Sequence, residues 1–275
     1  MKFLNFVFIF FNYFCVGSKI ELTPHTSIND SLIWSEEFNY DGLPNTKIWN
    51  YELGLVRKGE KQYYTKDISN AFVKNGCLYI KAIKRNIRRR IGNKIDTIAF
   101  FTSASLITKG KASWKYGKFI IRAKLPKGLG AWPAIWFMGI NHDLIDWPKC
   151  GEIDMMEFVG KDPDSLHSNL HYPFYDVTNY TYRISNNNGS FYYPNLLDEF
   201  HIYEMDWYDG YIEFFIDGIC YHKILTGEID VDGKNPFQMP FYMIINLALG
   251  GKWGGAVDVN SLPMSFVIDY IRVYK

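Results

Sequence analysis

Three carboxylates lie close together in the segment Gly151–Phe158, whose other residues are mostly apolar. In a β-strand, side chains two residues apart point to the same face, so Glu152 and Asp154 share one. Glu157 has the opposite parity. A one-residue bulge at Met155-Met156 would place Glu157 on that same face, because a bulge sets two residues opposite one. The spacing therefore predicts a bulged strand with three acids on one face.

Such clustering needs a chemical explanation, since Asp and Glu are uncommon in strands and neighbouring like charges repel. Solvated acids on an exposed strand would be a simpler interpretation, but it fits an otherwise apolar run poorly. Crowding raises the pKa of one carboxyl, so a proton donor can stand beside an ionised neighbour. Hydrolysis of a glycosidic bond requires that pair: one carboxylate attacks and one carboxylic acid protonates the leaving oxygen. The pattern favours this reaction.

The elements that must hold these acids are short strands. Runs of β-branched and aromatic residues recur between glycine-containing turns such as Asn75-Gly76, Asp209-Gly210 and Asp217-Gly218, and no helical period extends over ten residues. Many short strands at this spacing indicate an all-β sandwich or barrel. The 275 residues contain no linker after residue 30, so a single domain over 31–275 is expected.

The N-terminus has the layout of a secretory signal peptide: Lys2, about a dozen mostly apolar residues and then Gly17-Ser18. We expect a signal peptide over 1–18, an extension over 19–30 and a secreted, periplasmic or cell-surface mature chain. A lipid anchor at Cys15 is the alternative. No other segment approaches the length of a membrane span.

The formal net charge is +1, and removing 1–18 with Lys2 leaves 29 basic and 29 acidic residues. This balance argues against a nucleic-acid partner. The cysteines that remain are Cys77, Cys150 and Cys220, an odd number that leaves at least one thiol unpaired within the chain. The charge run Lys84–Arg90 is either a solvated hairpin tip or a site for an anionic polysaccharide. Glycosylation sequons stand at Asn29, Asn179 and Asn188.

The acidic segment Glu152–Glu157 resembles the E-x-D-x-x-E signature of glycoside hydrolase family 16, in the bulged form of its laminarinase-like members. Other blocks resemble the family in the expected order and cover almost the whole mature chain: Trp34–Phe38, Gln62–Thr65, Tyr116–Phe119, Arg122–Pro126, Gly130–Trp136, Asn246–Gly251 and Asp269–Tyr274. The resemblance implies a concanavalin-like jelly-roll sandwich of two antiparallel sheets with a concave substrate cleft. It also implies retaining endo-hydrolysis without a catalytic cofactor.

By position, the resemblance makes Glu152 the nucleophile, Glu157 the acid/base and Asp154 the assisting acid. The expected substrate is a β-1,3-glucan, with mixed-linkage β-1,3-1,4-glucan as a second one, and the expected enzyme is monomeric. The alternatives are an endo-hydrolase of an agar- or carrageenan-type galactan, a transglycosylase, and a glycan-binding jelly roll without activity.

Further residues are assigned to substrate by the same resemblance. Trp132 and Trp136 share a strand face; alone they would more often be core residues, but their block makes them sugar-facing. His171 is expected near the acid/base, Asn246 offers a buried amide that needs partners, and Trp253 should wall the cleft. Arg122 is implied as a contact to sugar hydroxyls. A structural calcium site of several family members matches Glu37, the Gly76 carbonyl and Asp269.

Overall fold

The computed structural model describes residues 31–92, 94–176, 181–184 and 188–275. The expected signal peptide (1–18) and extension (19–30), Cys15, and the sequons at Asn29 and Asn179 lie outside these ranges. Within them, no helix is long and apolar enough to cross a membrane. The three cysteines in the described ranges are all free thiols.

Two large sheets contain most of the strands. The ten-stranded sheet has the order β17-β16-β15-β8-β19-β5-β6-β3, with β1 on β19 and β4 on β5. Its strands are β1 (Leu32–Glu36), β3 (Gln62–Tyr64), β4 (Ala71–Lys74), β5 (Cys77–Ile91), β6 (Lys94–Ser103), β8 (Gly117–Lys124), β15 (His201–Tyr208), β16 (Tyr211–Ile216), β17 (Ile219–Leu225) and β19 (Met264–Tyr274). The described pairs are antiparallel, except that β3 runs parallel to β6.

The seven-stranded sheet has the order β14-β11-β10-β9-β18-β7-β2 and carries the three acids on β10. Its strands are β2 (Asn50–Tyr51), β7 (Ser105–Ile107), β9 (Ala131–Gly139), β10 (Glu152–Phe158), β11 (Ser165–His171), β14 (Gly189–Tyr192) and β18 (Phe241–Leu249). A separate hairpin joins β12 (Pro173–Asp176) to β13 (Thr181–Ile184). The described helices are α1 (Gly251–Gly254) and the 3-10 turns Pro236–Gln238 and Val259–Ser261.

The core lies between the two sheets because their strands alternate in burial. On β9, Ile135 and Phe137 are fully buried in the main core, whereas Trp136 and Met138 belong to a second cluster on the opposite face. On the facing sheet, β8 contributes Phe119 and Ile121 to the same core. Burying a side chain of this size stabilises the fold by roughly 1.5–3 kcal/mol. The predicted all-β sandwich is therefore confirmed, and the outward face of the seven-stranded sheet is left to hold a site.

Candidate active site

The bulge that the sequence predicts is present on β10. Asp154 pairs with Trp136 of β9 and Glu157 with Ala134, so three steps on β10 match two on β9. The pairing of β10 with β11 shifts at the same place. Met155 and Met156 are buried in the core. Because directly paired residues share a face, the extra residue places the side chain of Glu157 on the same face as those of Glu152 and Asp154.

All three acids consequently lie on one side of the seven-stranded sheet, which we call the cleft face. On β9 their partners are Met138, Trp136 and Ala134, and on β11 they are His171, Asn169 and His167. Each set of partners is spaced by two residues and so lies on one face. The strand begins directly after Gly151, which has a φ of +78°. A Cβ at this position would also lie only 2.9 Å from Phe241 Cζ. Glycine is therefore required at this entry to β10.

Glu152 has two nitrogen-bearing neighbours. The indole Nε1–H of Trp147 donates a hydrogen bond of 2.7 Å to Glu152 Oε2. His171 Nε2 lies 3.8 Å from Glu152 Oε1 and 3.2 Å from Asp154 Oδ2. His171 thus lies beside the proposed nucleophile and assisting acid, whereas the residue paired with Glu157 is His167.

Glu157, at the other end of the acidic strand, is bound by Trp132. Trp132 Nε1–H donates a hydrogen bond of 3.0 Å to Glu157 Oε1. Trp253, on α1, packs edge-on against Trp132 with ring centroids 5.1 Å apart, and against His167 at 5.2 Å. Both tryptophans are half-buried. Trp132 and Trp253 thus lie together beside Glu157, and a role for Trp253 in walling the cleft stays a prediction.

Burial is the largest influence on the charges of the three acids. It raises the pKa of Glu152 well above its usual value, with Asp154 adding to the effect and His171 and Trp147 opposing it. It also raises the pKa of Asp154 strongly, together with the charge of Glu157. Burial raises the pKa of Glu157 to about 7, against the hydrogen bond from Trp132. Crowded acids of this kind hold a proton at neutral pH, as a general acid must.

Trp136 and Asn246 lie on the cleft face but are engaged by protein groups. Trp136 Nε1–H donates to Asn246 Oδ1 at 2.7 Å, and Asn246 Nδ2 donates to the Tyr64 hydroxyl at 3.0 Å. Only 6% of Trp136 is exposed, and the Arg57 guanidinium lies 4.6 Å from its ring centroid. The sugar platform predicted at Trp136 is therefore not open, and the partners of the Asn246 amide include two protein side chains.

The loop between β2 and β3 supplies cleft residues that motif reading did not identify. Arg57 donates to both carboxylate oxygens of Glu52, at 2.8 and 2.7 Å. Glu60 accepts a hydrogen bond from Gln62 Nε2, and burial raises its pKa. Its charge also raises the pKa of Glu157. Arg57 and Glu60 both lie in a loop, where no period relates sequence to position, so no strand pattern could have identified them.

Arg122 is not in the cleft, which corrects its predicted contact with sugar. It lies on β8 of the ten-stranded sheet, between the core-facing residues Ile121 and Ala123, so its side chain points away from the core. There it forms an ion pair of 2.5 Å with Asp269 and lies over Phe200. The thickness of the sandwich therefore separates Arg122 from the acids.

The residues matched to a calcium site do not fit one as they stand. Glu37 is bound by Arg272 through two hydrogen bonds of 2.9 Å. Asp269 is the partner of Arg122. A calcium ion prefers several uncommitted oxygens, and here each carboxylate already faces a guanidinium. Gly76, with a φ of +76°, makes the turn between β4 and β5 that its Asn-Gly sequence predicts. Within the described ranges, the metal-ligand types that gather closely are Glu152, Asp154 and His171, within 4.8 Å of one another.

Comparisons with known proteins agree with the fold. The model of the family described as glycosyl hydrolases family 16 matches residues 59–272. A β-glucanase of Rhodothermus marinus is 40% identical over 255 residues, covering 89% of this chain and 85% of its own. The crystal structure of the laminarinase from Rhodothermus marinus has a TM-score of 0.76 at 38% identity, covering 90% of this chain and 97% of that one.

A second solved structure extends the comparison. SCLam, a non-specific endo-β-1,3(4)-glucanase, has a TM-score of 0.77 at 33% identity and covers 90% of this chain and 92% of its own. A mutant of SCLam was co-crystallised with a glucan oligosaccharide at its active site. The predicted jelly-roll sandwich is confirmed by these neighbours, and the chain belongs to glycosyl hydrolase family 16.

Proposed function

We propose that this glycoside hydrolase is an endo-β-1,3-glucanase that retains the anomeric configuration and also accepts mixed-linkage β-1,3-1,4-glucan. The observation that carries the proposal is the bulged β10, which sets Glu152, Asp154 and Glu157 on one face. Similarity to a β-glucanase, a laminarinase and a non-specific endo-β-1,3(4)-glucanase supports the choice of substrate. A signal peptide over 1–18 would export the enzyme, so that it could act on β-glucan outside the cell.

In the first step, ionised Glu152 attacks the anomeric carbon while Glu157 gives its proton to the leaving glycosidic oxygen. A covalent glycosyl-enzyme and a shortened glucan result. Trp147 supports this role of Glu152, because an N–H donated to a carboxylate stabilises its ionised form. The raised pKa of Glu157, at about 7, supports its role as the acid.

Asp154 assists by holding a proton between the two glutamates. Three neighbouring carboxyls in a buried site do not all ionise at neutral pH, since each charge raises the pKa of the next. A proton on Asp154 leaves Glu152 free to attack and can be donated to it in a hydrogen bond. His171 Nε2 lies 3.2 Å from Asp154 Oδ2, and its presence lowers the pKa of Glu152, which favours the ionised nucleophile.

In the second step, Glu157, now ionised, removes a proton from water, and the water attacks the glycosyl-enzyme at the anomeric carbon. Two displacements restore the original configuration. The bond to Glu152 breaks and its carboxylate is regenerated. Neither step needs a metal ion or an organic cofactor.

A substrate panel tests the proposal. The purified mature protein is incubated with laminarin, barley mixed-linkage glucan and carrageenan; reducing ends are counted, and the anomer of the first product is read by NMR. We expect release from laminarin, weaker release from barley glucan and a β-anomer as first product. Release from carrageenan alone would identify a galactanase. Products longer than the substrate would identify a transglycosylase, and binding without release of reducing ends would identify a glycan-binding protein. An α-anomer would overturn retention.

A further inference from the structure

The strand β5 continues well beyond the sandwich. Its pairing with β4 ends at Ile80 and its pairing with β19 ends at Ala82. From Ile83 onward the neighbour of β5 is β6, whose pairing with β3 covers Phe101–Ser103. Beyond Lys84, therefore, β5 and β6 form a two-stranded ribbon. We call residues 84–92 and 94–97 the basic ribbon.

The basic ribbon is strongly positive, although the chain as a whole is almost neutral. It contains six basic side chains and one acid, Asp96, whereas the whole sequence is nearly neutral at +1. All six basic side chains are exposed: Lys84, Arg85, Arg88, Arg89, Arg90 and Lys94. Arg85 is paired with Asp67 at 2.9 Å. Within the described ranges, the other five have no ion pair.

The pairing register arranges some of these charges in a row. Arg88 pairs with Thr97 and Arg90 with Ile95, so these four side chains share a face. The two arginines lie roughly 6.7 Å apart along the strand. Ile95 beside them is 70% exposed. That face therefore offers two guanidinium groups and an apolar contact, and it has no acid of its own.

We infer that the basic ribbon binds an anionic polysaccharide, distinct from the neutral glucan of the cleft. Four of its six basic residues are arginines, whose planar fork donates two parallel hydrogen bonds to a sulfate or carboxylate group. A linear chain with regularly spaced anions matches a straight row of charges on a strand. The choice of a polysaccharide over other polyanions rests on the proposed function, since an enzyme that cleaves one polysaccharide meets its substrate among others.

Affinity electrophoresis tests the inference without using catalysis. The full mature protein is run through gels containing carrageenan, polygalacturonate or neutral dextran. The variant Arg88→Ser/Arg90→Ser removes two exposed charges from the ribbon, and Lys47→Ser/Lys234→Ser removes two exposed charges elsewhere. Thermal melting shows whether each variant is folded, and hydrolysis of soluble laminarin is measured on the same samples.

We expect carrageenan or polygalacturonate, but not dextran, to retard the protein, and added salt to weaken the effect. The ribbon variant should bind about 10- to 30-fold more weakly, as expected when two charge contacts are lost, while the control pair should bind like wild type. Laminarin hydrolysis should be unchanged in both. Equal retardation of wild type and ribbon variant would overturn the inference. So would binding to phosphatidylglycerol vesicles without binding to either polysaccharide, whatever the laminarin assay shows.

Discussion

The indole of Trp147 donates a 2.7 Å hydrogen bond to Glu152, although the two residues lie on different elements. Trp147 is in the loop before β10 and is 41% exposed, so the contact stands at the mouth of the site. A hydrogen bond to a charged group contributes about 1.5–3 kcal/mol, and this one favours the ionised carboxylate. Trp147 is therefore a positioning residue for the proposed nucleophile.

Replacing Trp147 with Phe keeps a ring and removes the donor. We expect kcat on laminarin to fall about 10- to 100-fold, and the acidic limb of kcat/KM to move to higher pH as the pKa of Glu152 rises. A pH series of initial rates measures both. Trp34→Phe, which alters a ring packed on the core, is the control. A fall in rate with an unmoved acidic limb would contradict the proposed effect on ionisation.

The two glutamates should respond differently to a small nucleophile. Glu152→Ala and Glu157→Ala should each lower kcat by at least ~10³-fold, whereas Glu228→Ala on the surface should not. The rescue uses an aryl β-glucoside whose phenolate leaves without an acid. In Glu152→Ala azide replaces the missing nucleophile, and in Glu157→Ala it attacks the glycosyl-enzyme without a general base. The expected product is the α-glycosyl azide from Glu152→Ala and the β-glycosyl azide from Glu157→Ala. The reverse pattern, read by NMR, would exchange the two roles.

The alkaline limb of activity should report the proton on Glu157. Because burial raises its pKa to about 7, the general acid is lost as the pH rises through that value. The hydrogen bond from Trp132 lowers this pKa, so Trp132→Phe should move the alkaline limb upward. We expect kcat/KM for laminarin to show the shift. An alkaline limb that stays in place in Trp132→Phe would assign it to another group.

Local pattern was sufficient to predict the acidic strand. A bulge was required to place Glu157 on the face of Glu152 and Asp154, with the apolar Met155 and Met156 between them. The strand pairing of β10 contains that bulge. Strand alternation is a short-range rule, so it can be read from seven residues. The all-β sandwich followed in the same way from many short runs and their turns.

Long-range placement could not be predicted in this way. The polarity of Arg122 indicated a strand face, but alternation does not say which of two sheets a strand joins, and β8 joined the sheet without the acids. Arg57 and Trp147 reach the site from loops, where no period relates sequence to position. Trp136 is on the predicted face, yet its exposure depends on Arg57, which is distant in the sequence.

A buried ion cluster on the ten-stranded sheet should matter for stability. Lys118 lies 2.9 Å from Glu204 and 3.1 Å from Asp206, and all three are at least nine-tenths buried. Lys118→Met leaves two buried acids without this cation and should lower the free energy of unfolding by about 3–5 kcal/mol. Lys127→Met, whose partner Asp198 is exposed, should cost at most about 1 kcal/mol. Urea titration compares them, and equal losses would contradict the argument.

The pKa of Glu157 also predicts a cost in stability. Its ordinary value is 4.5 and its folded value about 7, so between these pH values the folded state binds more protons than the unfolded state. The free energy of unfolding then falls as the pH rises through this window, by up to about 3 kcal/mol from this group. Glu157→Gln, which cannot ionise, should therefore be more stable than wild type at pH 8 and lose that advantage at pH 4. Urea titrations at both pH values measure the difference, and the stability of Glu228→Gln relative to wild type should be the same at both. An advantage for Glu157→Gln that does not change with pH would mean that packing, not ionisation, is its cause.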